Sequence, residues 1–445
     1  MIKPLLFLAS HELFDTRFYP LYKKFKVNQW LDYNLQKERQ EIQLRQLIKY
    51  SYERVPYYRK LFDENNISYT SIETIKDLEK IPILTKKKIK NNWDGLKPLG
   101  LKNIPHYTFA TGGTTGTPVK FRLDKYDRLL GLVLLYVGWS KSGYRLSDKT
   151  IFLGGASLDI DQSGFLVQKI HELGRNVRKL SSFDMGPEEL QKYSRILNKY
   201  EPKFIRGYAS AIYFFSRWLE KNKFKWHKPK AIITTSDKLY PKMRIKIEEI
   251  FQCKVFDSYG LKDGGVSAFE CSTHECYHID TERSIVECVD NGSNQIINGK
   301  GKVLATSLYN YSMPFIRYDT GDLAKVINKK CSCGRDSKLF DEITGRSVDI
   351  FITPEGKYVH GWFFLYLFWE YEKGINAYQV IQKSESHIQI KIVPERNFDY
   401  SIIAKIEKMI KTKSLNWNVE FEYVEKIIST ESGKYKFIIS HIDFN

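Results

Sequence analysis

The segment PEELQKYSRILNKYEPKFIRGYASAIYFFSRWLEKN (residues 187–222) decides the fold class, because it reads as a helix, a strand and a second helix in succession. The same order continues downstream with the strand KAIITTS, the helix YPKMRIKIEEIF and the strand KVFDSYG. Pro241 stands in the first turn of that last helix, where proline is tolerated. Strand–helix alternation of this kind predicts an α/β fold, in which helices cover both faces of a parallel sheet.

The segments on either side of this core show other patterns. Residues 1–104 look helical, residues 105–276 form the α/β core, and residues 277–344 lose helical periodicity and predict a β-rich subdomain. Residues 345–445 restart as a small α+β unit with helices such as SIIAKIEKMIK and strands such as HIQIKIV. We therefore predict a large N-terminal domain, 1–344, and a small C-terminal domain, 345–445.

Composition narrows the class of protein. Of the 445 residues, 42% are hydrophobic and 14% are aromatic, which is typical of a globular protein and argues against disorder. The longest apolar block, WFFLYLFW, is too short to span a bilayer, and the N-terminus lacks a proper signal-peptide core, so we expect a cytoplasmic protein without a transmembrane segment.

The net charge of +18 admits nucleic acid or an anionic membrane as partners. Lysine is spread along the whole chain, however, and no dense motif combines basic and aromatic residues, so we do not expect a nucleic-acid partner. We interpret the densest basic run, KKKIKNNW (residues 86–93), as a solvated helix face.

A loop rich in glycine and threonine interrupts the strands at ATGGTTGTPVKF (residues 110–121). Glycines let backbone N–H groups approach a ligand closely, and threonine hydroxyls add uncharged donors, so the loop suits polyphosphate oxygens. It is not a Walker A loop, because Gly116 is followed by threonine and proline. Taken alone, the run fits a flexible linker as well as a phosphate-binding loop, and the flanking strands favour the second.

Further polar motifs follow strands along the chain, namely DSYGLKDGG (257–265), RYDTGD (317–322), TGR (344–346) and ESGKYKF (431–437). Tyr259 is suited to lie against a purine, Asp263 to hold Mg²⁺, and Asp322 to accept hydrogen bonds from ribose hydroxyls. Each also has a structural reading, as a core aromatic residue, a turn residue or an exposed side chain. Their joint order along the chain favours a nucleotide site.

All six cysteines lie between Cys253 and Cys333, and four of them fall in two clusters, one of which also contains histidines. The two clusters are Cys271 and Cys276 with His274 and His278, and Cys331 with Cys333. Clustered cysteine and histidine in a cytosolic chain indicates Zn²⁺ rather than disulfides. Reduced, unpaired thiols are the alternative, since C-x-C spacing is less typical of zinc than C-x-x-C.

The motif order ATGGTTGTP, DSYGLKD, RYDTGD, GRSVD and SGK resembles that of the adenylate-forming enzymes. Within them the chain resembles the phenylacetate–CoA ligase branch and its capsular-polysaccharide-biosynthesis relatives (CapK-type). The segments that carry this narrower resemblance are KYSYERVPYYRKLF, KIPILTK, FECSTHECYHID, NYSMPFIRYDTGD and CSCGR, and it covers nearly the whole chain.

The resemblance implies the adenylate-forming fold with a mobile C-terminal domain, and a two-step reaction. A carboxylic acid attacks the α-phosphorus of Mg²⁺-bound ATP to give an acyl-adenylate and pyrophosphate, and the acyl group then passes to coenzyme A or to another acceptor such as a sugar amine. A role in capsular polysaccharide biosynthesis is implied with it. The alternative is a catalytically silent, nucleotide-binding scaffold of a polysaccharide-assembly system.

The resemblance also implies roles for individual residues. The β- and γ-phosphates would lie on Thr111, Gly112, Gly113, Thr114, Thr115, Gly116 and Thr117. The nucleoside would lie on Thr235, Ser236, Tyr259, Gly260, Asp322 and Arg346. Lys434 would bridge the substrate carboxylate and the phosphate, and the acid would lie near Arg206 and Tyr208.

Two further assignments follow from the resemblance. Where the family usually has threonine or serine followed by glutamate, this chain has Lys262 and Asp263, which places a shorter magnesium ligand beside an additional cation. The favoured zinc ligands are Cys271, His278, Cys331 and Cys333, with Cys276 as the substitute ligand. Four protein ligands leave no open position, so the zinc site would be structural.

Overall fold

A computed structural model describes residues 2–12, 15–110, 119–154, 165–182, 185, 187–223, 225–346, 350–355, 358–360, 362–371, 374–396, 398–428 and 436–442. These residues fall into two compact units, which divide between Thr344 and Gly345. Among them, no helix combines the length and the apolar character needed to cross a bilayer.

The first unit contains ten α-helices among the described residues. They are α1 (Ile2–Glu12), α2 (Phe18–Asn28), α3 (Tyr33–Arg54), α4 (Pro56–Glu64), α5 (Lys86–Asn91), α6 (Lys125–Ser140), α7 (Phe165–Arg175), α8 (Pro187–Tyr200), α9 (Ala209–Lys221) and α10 (Pro241–Phe251). Short 3₁₀ helices lie at Tyr69–Ser71, Lys76–Lys80 and Leu101–Asn103.

The strands of the first unit alternate with these helices and then run on without them. They are β1 (His106–Ala110), β2 (Lys120–Asp124), β3 (Thr150–Gly154), β4 (Val177–Ser181), β5 (Phe204–Tyr208), β6 (Ala231–Thr235), β7 (Lys254–Gly260), β8 (Ser267–Glu270), β9 (Tyr277–Ile279), β10 (Ser284–Val289), β11 (Gly299–Ser307), β12 (Tyr318–Ile327) and β13 (Leu339–Arg346).

An eleven-stranded sheet has the order β10-β11-β12-β13-β9-β8-β7-β6-β5-β3-β4. Strands β7, β6, β5, β3 and β4 pair in parallel, so their carboxyl ends lie along one edge. The pairs β7–β8, β8–β9, β9–β13, β10–β11 and β11–β12 are antiparallel and form the β-rich part. The predicted α/β class is therefore confirmed.

The helical N-terminal part is joined to this sheet by hydrogen bonds as well as by apolar packing. Leu84 forms a parallel bridge with Tyr318, because its N–H donates to the Arg317 carbonyl and its carbonyl accepts from the Asp319 N–H, both at 3.0 Å. The Tyr58 hydroxyl, fully buried, donates to the Pro314 carbonyl at 2.9 Å. The segment before α5 thus packs directly against the RYDTGD strand.

The buried Glu287–Arg317 ion pair lies in the β-rich part. The Arg317 Nε donates to Glu287 Oε1 at 3.0 Å, and the two side chains are 2% and 0% exposed. The guanidinium also donates to the carbonyls of Ile81 at 3.0 Å and Ser293 at 2.8 Å. These bonds hold the start of β12 in a fixed position.

The second unit is a small α+β fold in the residues described. Its elements are β14 (Ile350–Ile352), β15 (Tyr358–His360), α11 (Trp362–Glu370), β16 (Ile375–Ser384), β17 (His387–Pro394), α12 (Ser401–Lys411), β18 (Asn418–Tyr423) and β19 (Ile438–Ser440). Four strands form a sheet in the order β18-β17-β16-β19, and Ile388, Ile390 and Ile392 of β17 are fully buried. The predicted apolar alternation of this strand therefore faces a core.

Candidate functional site

The polar residues of the candidate site gather at the carboxyl edge of the parallel strands. Tyr208 ends β5 opposite Thr235, which ends β6, and Ser236 follows with a φ of 73° and an exposed side chain. Asp237 accepts hydrogen bonds from the backbone N–H groups of Ala209 at 2.6 Å and Ser210 at 3.1 Å. Asp237 thus caps the N-terminus of α9, so Thr235 and Ser236 are the residues of this loop that can contact a ligand.

A short hydrogen bond joins two residues that lie far apart in the sequence. The Tyr259 hydroxyl donates to Asp322 Oδ2 at 2.7 Å, and Asp322 is 5% exposed. Burial, together with the charge of Asp322, raises the pKa of Tyr259 well above its ordinary value, so the phenol stays protonated. The bond fixes an aromatic ring and a carboxylate side by side.

The turn after β7 carries Lys262 and Asp263. Asp263 Oδ2 accepts a hydrogen bond from the Tyr318 hydroxyl at 2.7 Å, so the carboxylate is held against the start of β12. The Lys262 Nζ lies 4.8 Å from the centroid of the Phe109 ring. Since Phe109 stands on β1, directly before the glycine- and threonine-rich loop, Lys262 lies beside the strand that leads into that loop.

Several residues implied by the resemblance lie outside the described residues. They are Thr111, Gly112, Gly113, Thr114, Thr115, Gly116, Thr117 and Lys434. Arg346 is the last residue of β13, and only its backbone belongs to the described part. Their roles stay predictions from sequence.

Lys86 lies at the site although the sequence reading assigned its run to a solvated helix face. A β-carbon placed on Gly321, in the RYDTGD turn, would lie 3.7 Å from the Lys86 Nζ. The Thr85 hydroxyl accepts from the Lys88 N–H and caps α5, which starts the helix directly after the Leu84 bridge. The signal in the sequence was KIPILTK, in which the last lysine directly follows the capping threonine.

Asp257, two residues before Tyr259, forms part of a buried acidic network. It accepts hydrogen bonds from the Thr234 hydroxyl at 2.5 Å and from the Tyr277 hydroxyl at 2.8 Å. Burial and the neighbouring charge of Glu270 raise the pKa of Asp257 to about 7. Because the network joins β6, β7 and β9, it fixes the strands that carry the candidate adenine site.

A cysteine and histidine cluster lies in the β-rich part, where Cys271 follows β8 and His278 stands on β9. The structure brings together Cys271, His278, Cys331 and Cys333, whose ligand atoms all lie within 4.8 Å of one another. The Sγ atoms of Cys271 and Cys331 are 3.7 Å apart, and Cys333 Sγ lies 3.4 Å from His278 Nε2. Sulfur ligands about 2.3 Å from a tetrahedral zinc lie ~3.8 Å apart, so these spacings fit the ion.

The surroundings of the cluster favour the forms of His278 and Cys331 that can bind a metal ion. Ser337 Oγ lies 2.8 Å from His278 Nδ1, which directs Nε2 toward the thiols. Burial lowers the pKa of His278 to about 3, so the imidazole is neutral. Burial acts to raise the pKa of Cys331, but its hydrogen bonds with Thr273 and Cys333 outweigh this and hold the pKa below the ordinary value. Cys276 is buried but is not one of the four grouped residues.

Comparison with known proteins gives relatives over most of the chain. The CapK C-terminal domain family matches residues 351–441. The chain is 26% identical to protein CapK of Staphylococcus aureus over 390 residues, which is 87% of this chain and 85% of that protein. It is 26% identical to the phenylacetate–coenzyme A ligase of Thermus thermophilus over 337 residues, 70% of this chain and 71% of that protein.

Solved structures show the same fold. A 2-hydroxyisobutyryl-CoA ligase in the postadenylation state, in complex with R3-HIB-AMP, gives a TM-score of 0.73 at 16% identity and covers 92% of this chain and 90% of its own. The anthranilate CoA ligase AuaEII in complex with anthranoyl-AMP gives 0.52 at 16% identity and covers 74% of this chain and 64% of its own. The predicted fold and the predicted resemblance to adenylate-forming ligases are confirmed, and so is the enzyme class.

Proposed function

We propose, on the premise that this chain resembles adenylate-forming ligases over most of its length, that it activates a carboxylic acid with ATP. The products of the first step are an acyl-adenylate and pyrophosphate, and the acyl group then passes to coenzyme A or to another acceptor such as a sugar amine. The observation that carries the proposal is the 2.7 Å hydrogen bond from Tyr259 to Asp322 at the carboxyl edge of the sheet. It pairs the two groups that a nucleoside needs, an aromatic surface and a carboxylate.

In this proposal the adenine lies between the Thr235–Ser236 loop and the Tyr259 ring, beside Gly260. Asp322 accepts hydrogen bonds from the ribose hydroxyls, and Arg346 assists it. The partly buried hydrogen bond from Tyr259 supports this role, because it holds the Asp322 carboxylate in one orientation before the nucleotide arrives.

The phosphate end is assigned to the glycine- and threonine-rich loop and to nearby cations. Asp263 would hold Mg²⁺, a cation that prefers carboxylate and phosphate oxygens. Two lysines supply positive charge, Lys262 beside Phe109 of β1 and Lys86 beside Gly321. Phosphoryl and adenylyl transfer depends mainly on positioning and on stabilising charge on the phosphoryl oxygens, so such cations act on the rate.

The C-terminal domain that we propose, residues 345–445, supplies Lys434. Its ammonium group would meet both the acid carboxylate and the α-phosphate during adenylation, and the domain would then move for the transfer step. The match of the CapK C-terminal domain family to residues 351–441 supports a relative of CapK and, with it, a role in the synthesis of a surface polysaccharide.

The experiment that tests this function is acid-dependent exchange of labelled pyrophosphate into ATP. We expect exchange with at least one acid of a broad panel, and we expect Asp322→Asn to lower kcat/KM for ATP by about 10–100-fold, because a charged acceptor for the ribose is lost. Asp341→Asn is the matched control: Asp341 lies on β13 and pairs with Lys325 at 2.7 Å near the surface, so exchange should stay within about twofold.

If no acid of the panel supports exchange but the protein still binds nucleotide, the result would instead favour the catalytically silent scaffold. The sequence feature that best supports that alternative is the Lys262–Asp263 pair. Equal effects of the Asp322 and Asp341 substitutions would contradict the assigned ribose contact.

We also propose that Cys271, His278, Cys331 and Cys333 hold a structural Zn²⁺. We expect one zinc per chain by elemental analysis, and we expect Cys331→Ser to lose the metal and to lower Tm by at least about 5 °C, since zinc binding contributes directly to folding. Cys253→Ser, at a cysteine outside the cluster, should keep both zinc and Tm. A zinc-free wild type with an unchanged Tm after chelation would leave the alternative of plain reduced thiols.

A further inference from the structure

Arg206 is a partly buried guanidinium in the middle of the parallel sheet. It stands on β5, and its Cζ lies 3.7 Å from the centroid of the Trp139 ring and 5.0 Å from that of Phe152. Trp139 belongs to α6, so the guanidinium lies between the sheet and the helix layer that covers it. Burial lowers the pKa of Arg206 to about 10, and the group still carries its charge near neutral pH.

No hydrogen bond or ion pair engages this guanidinium within the described ranges. The nearby titratable groups are the phenols of Tyr136 and Tyr144 and a second cation, Arg175, which repels it. A buried charge is ordinarily paired, because removing it from water costs more than stacking on a ring recovers.

Two of the three arginines that are buried among the described residues of this unit follow this rule, whereas the third, Arg122, stacks on the Trp93 ring at 3.9 Å from its centroid and donates to the Trp93 carbonyl at 3.5 Å. Arg317 binds Glu287 at 3.0 Å, and Arg283 binds Asp127 through two hydrogen bonds of 2.9 and 2.7 Å. Among the described residues Arg206 has neither such a carboxylate nor a carbonyl acceptor, so an anionic group on a ligand is a suitable partner for it.

The position of Arg206 indicates which part of a ligand supplies that anion. Residues 204, 206 and 208 share one face of β5, and Tyr208 ends the strand at the edge where Thr235 and Ser236 lie. Two residues of strand span about 7 Å, so Arg206 lies that far below the edge where adenylation would occur. An acid that enters tail first would bring its far end to this depth.

We propose that the activated acid carries a second anionic group, such as a second carboxylate, and that Arg206 binds this group between Trp139 and Phe152. The inference rests on the proposed function and adds to it the substrate class: a dianion whose second charge lies at the end remote from the reacting carboxylate. Trp139 and Phe152 hold the planar guanidinium in place and screen it from water, which strengthens its attraction for the incoming charge.

The test compares matched pairs of acids in pyrophosphate exchange: adipate with hexanoate, and 4-carboxyphenylacetate with phenylacetate. In the wild type, we expect at least tenfold higher kcat/KM for the dianion of one pair. Arg206→Met should reverse that preference, whereas Arg206→Lys should keep it in part. Arg217→Met is the control, because Arg217 on α9 also lies over a ring, at 5.8 Å from the centroid of Tyr213, and should change neither acid.

A second measurement does not depend on turnover. The same dianions, added without ATP, should raise the Tm of the wild type and of Arg217→Met but not that of Arg206→Met. If the monoacids support pyrophosphate exchange in the wild type as well as the matched dianions do, the proposed substrate class is wrong, while the proposed ligase activity stands. No exchange with any acid would contradict the ligase, and the Tm shifts would then decide the anion site alone: equal shifts in wild type and Arg206→Met, or none, overturn it.

Discussion

Replacement of Lys434 by alanine is expected to lower the rate of acyl-adenylate formation by about 10²–10³-fold, the effect of removing one preorganised group that stabilises developing charge. The resemblance gives this lysine the task of bridging the substrate carboxylate and the phosphate. That task exists only in the first step. The variant should therefore transfer the acyl group from a supplied acyl-adenylate at close to the wild-type rate.

The two half-reactions are measured separately, as pyrophosphate exchange and as loss of a synthetic acyl-adenylate in the presence of the acceptor. Lys426→Ala provides the control, since this lysine is exposed and precedes Lys434 closely in the sequence, and it should leave both rates unchanged. Loss of both half-reactions to the same extent in Lys434→Ala would refute its assigned role.

The second large effect concerns stability rather than chemistry. Arg317→Met should lower the free energy of unfolding by about 3–5 kcal/mol, because Glu287 would be left charged and fully buried without its partner. The variant also loses the bonds to the Ile81 and Ser293 carbonyls. Urea denaturation, followed by tryptophan fluorescence, measures this difference: the urea concentration at the midpoint should fall while the slope m stays constant.

A double variant separates the pair from the packing around it. Glu287→Leu combined with Arg317→Met removes both charges and should recover part of the loss, as replacement of buried ion pairs by apolar groups often does. Lys325→Met breaks an exposed ion pair on β12 and should leave the urea midpoint almost unchanged. A single-variant loss as small as that of Lys325→Met would show that the buried pair does not hold this part of the sheet.

The α/β core could be read from the sequence because its signals are local. The residue pattern that indicates each helix or strand of this core lies within about ten residues of sequence. Pro241, for example, begins α10 as expected. The change to strand patterns after residue 277 was equally easy to predict, since β12 alternates buried and partly buried residues along its whole length.

The candidate site was accessible only in part, because its contacts join distant segments. Tyr259 and Asp322 were assigned to the same nucleotide through the family resemblance, and no spacing in the chain predicts their hydrogen bond. The choice between His278 and Cys276 also needed geometry, because either residue is close enough in sequence to reach the other cysteines. Lys86 was not predicted as a site residue for the same reason. A lysine in a basic run is expected to face solvent, and only the structure shows that its Nζ lies beside Gly321.

The bridge between Leu84 and β12 affects how the chain is completed during synthesis. Leu84 leaves the ribosome about 235 residues before Asp319, and at about 5–20 residues per second the delay is on the order of 10–50 s. During that time the apolar side chains around Tyr58 and Leu84 have no sheet to cover them. We therefore expect the nascent N-terminal segment to be exposed to aggregation for longer than the α/β core, and to benefit from molecular chaperones until β12 has been made.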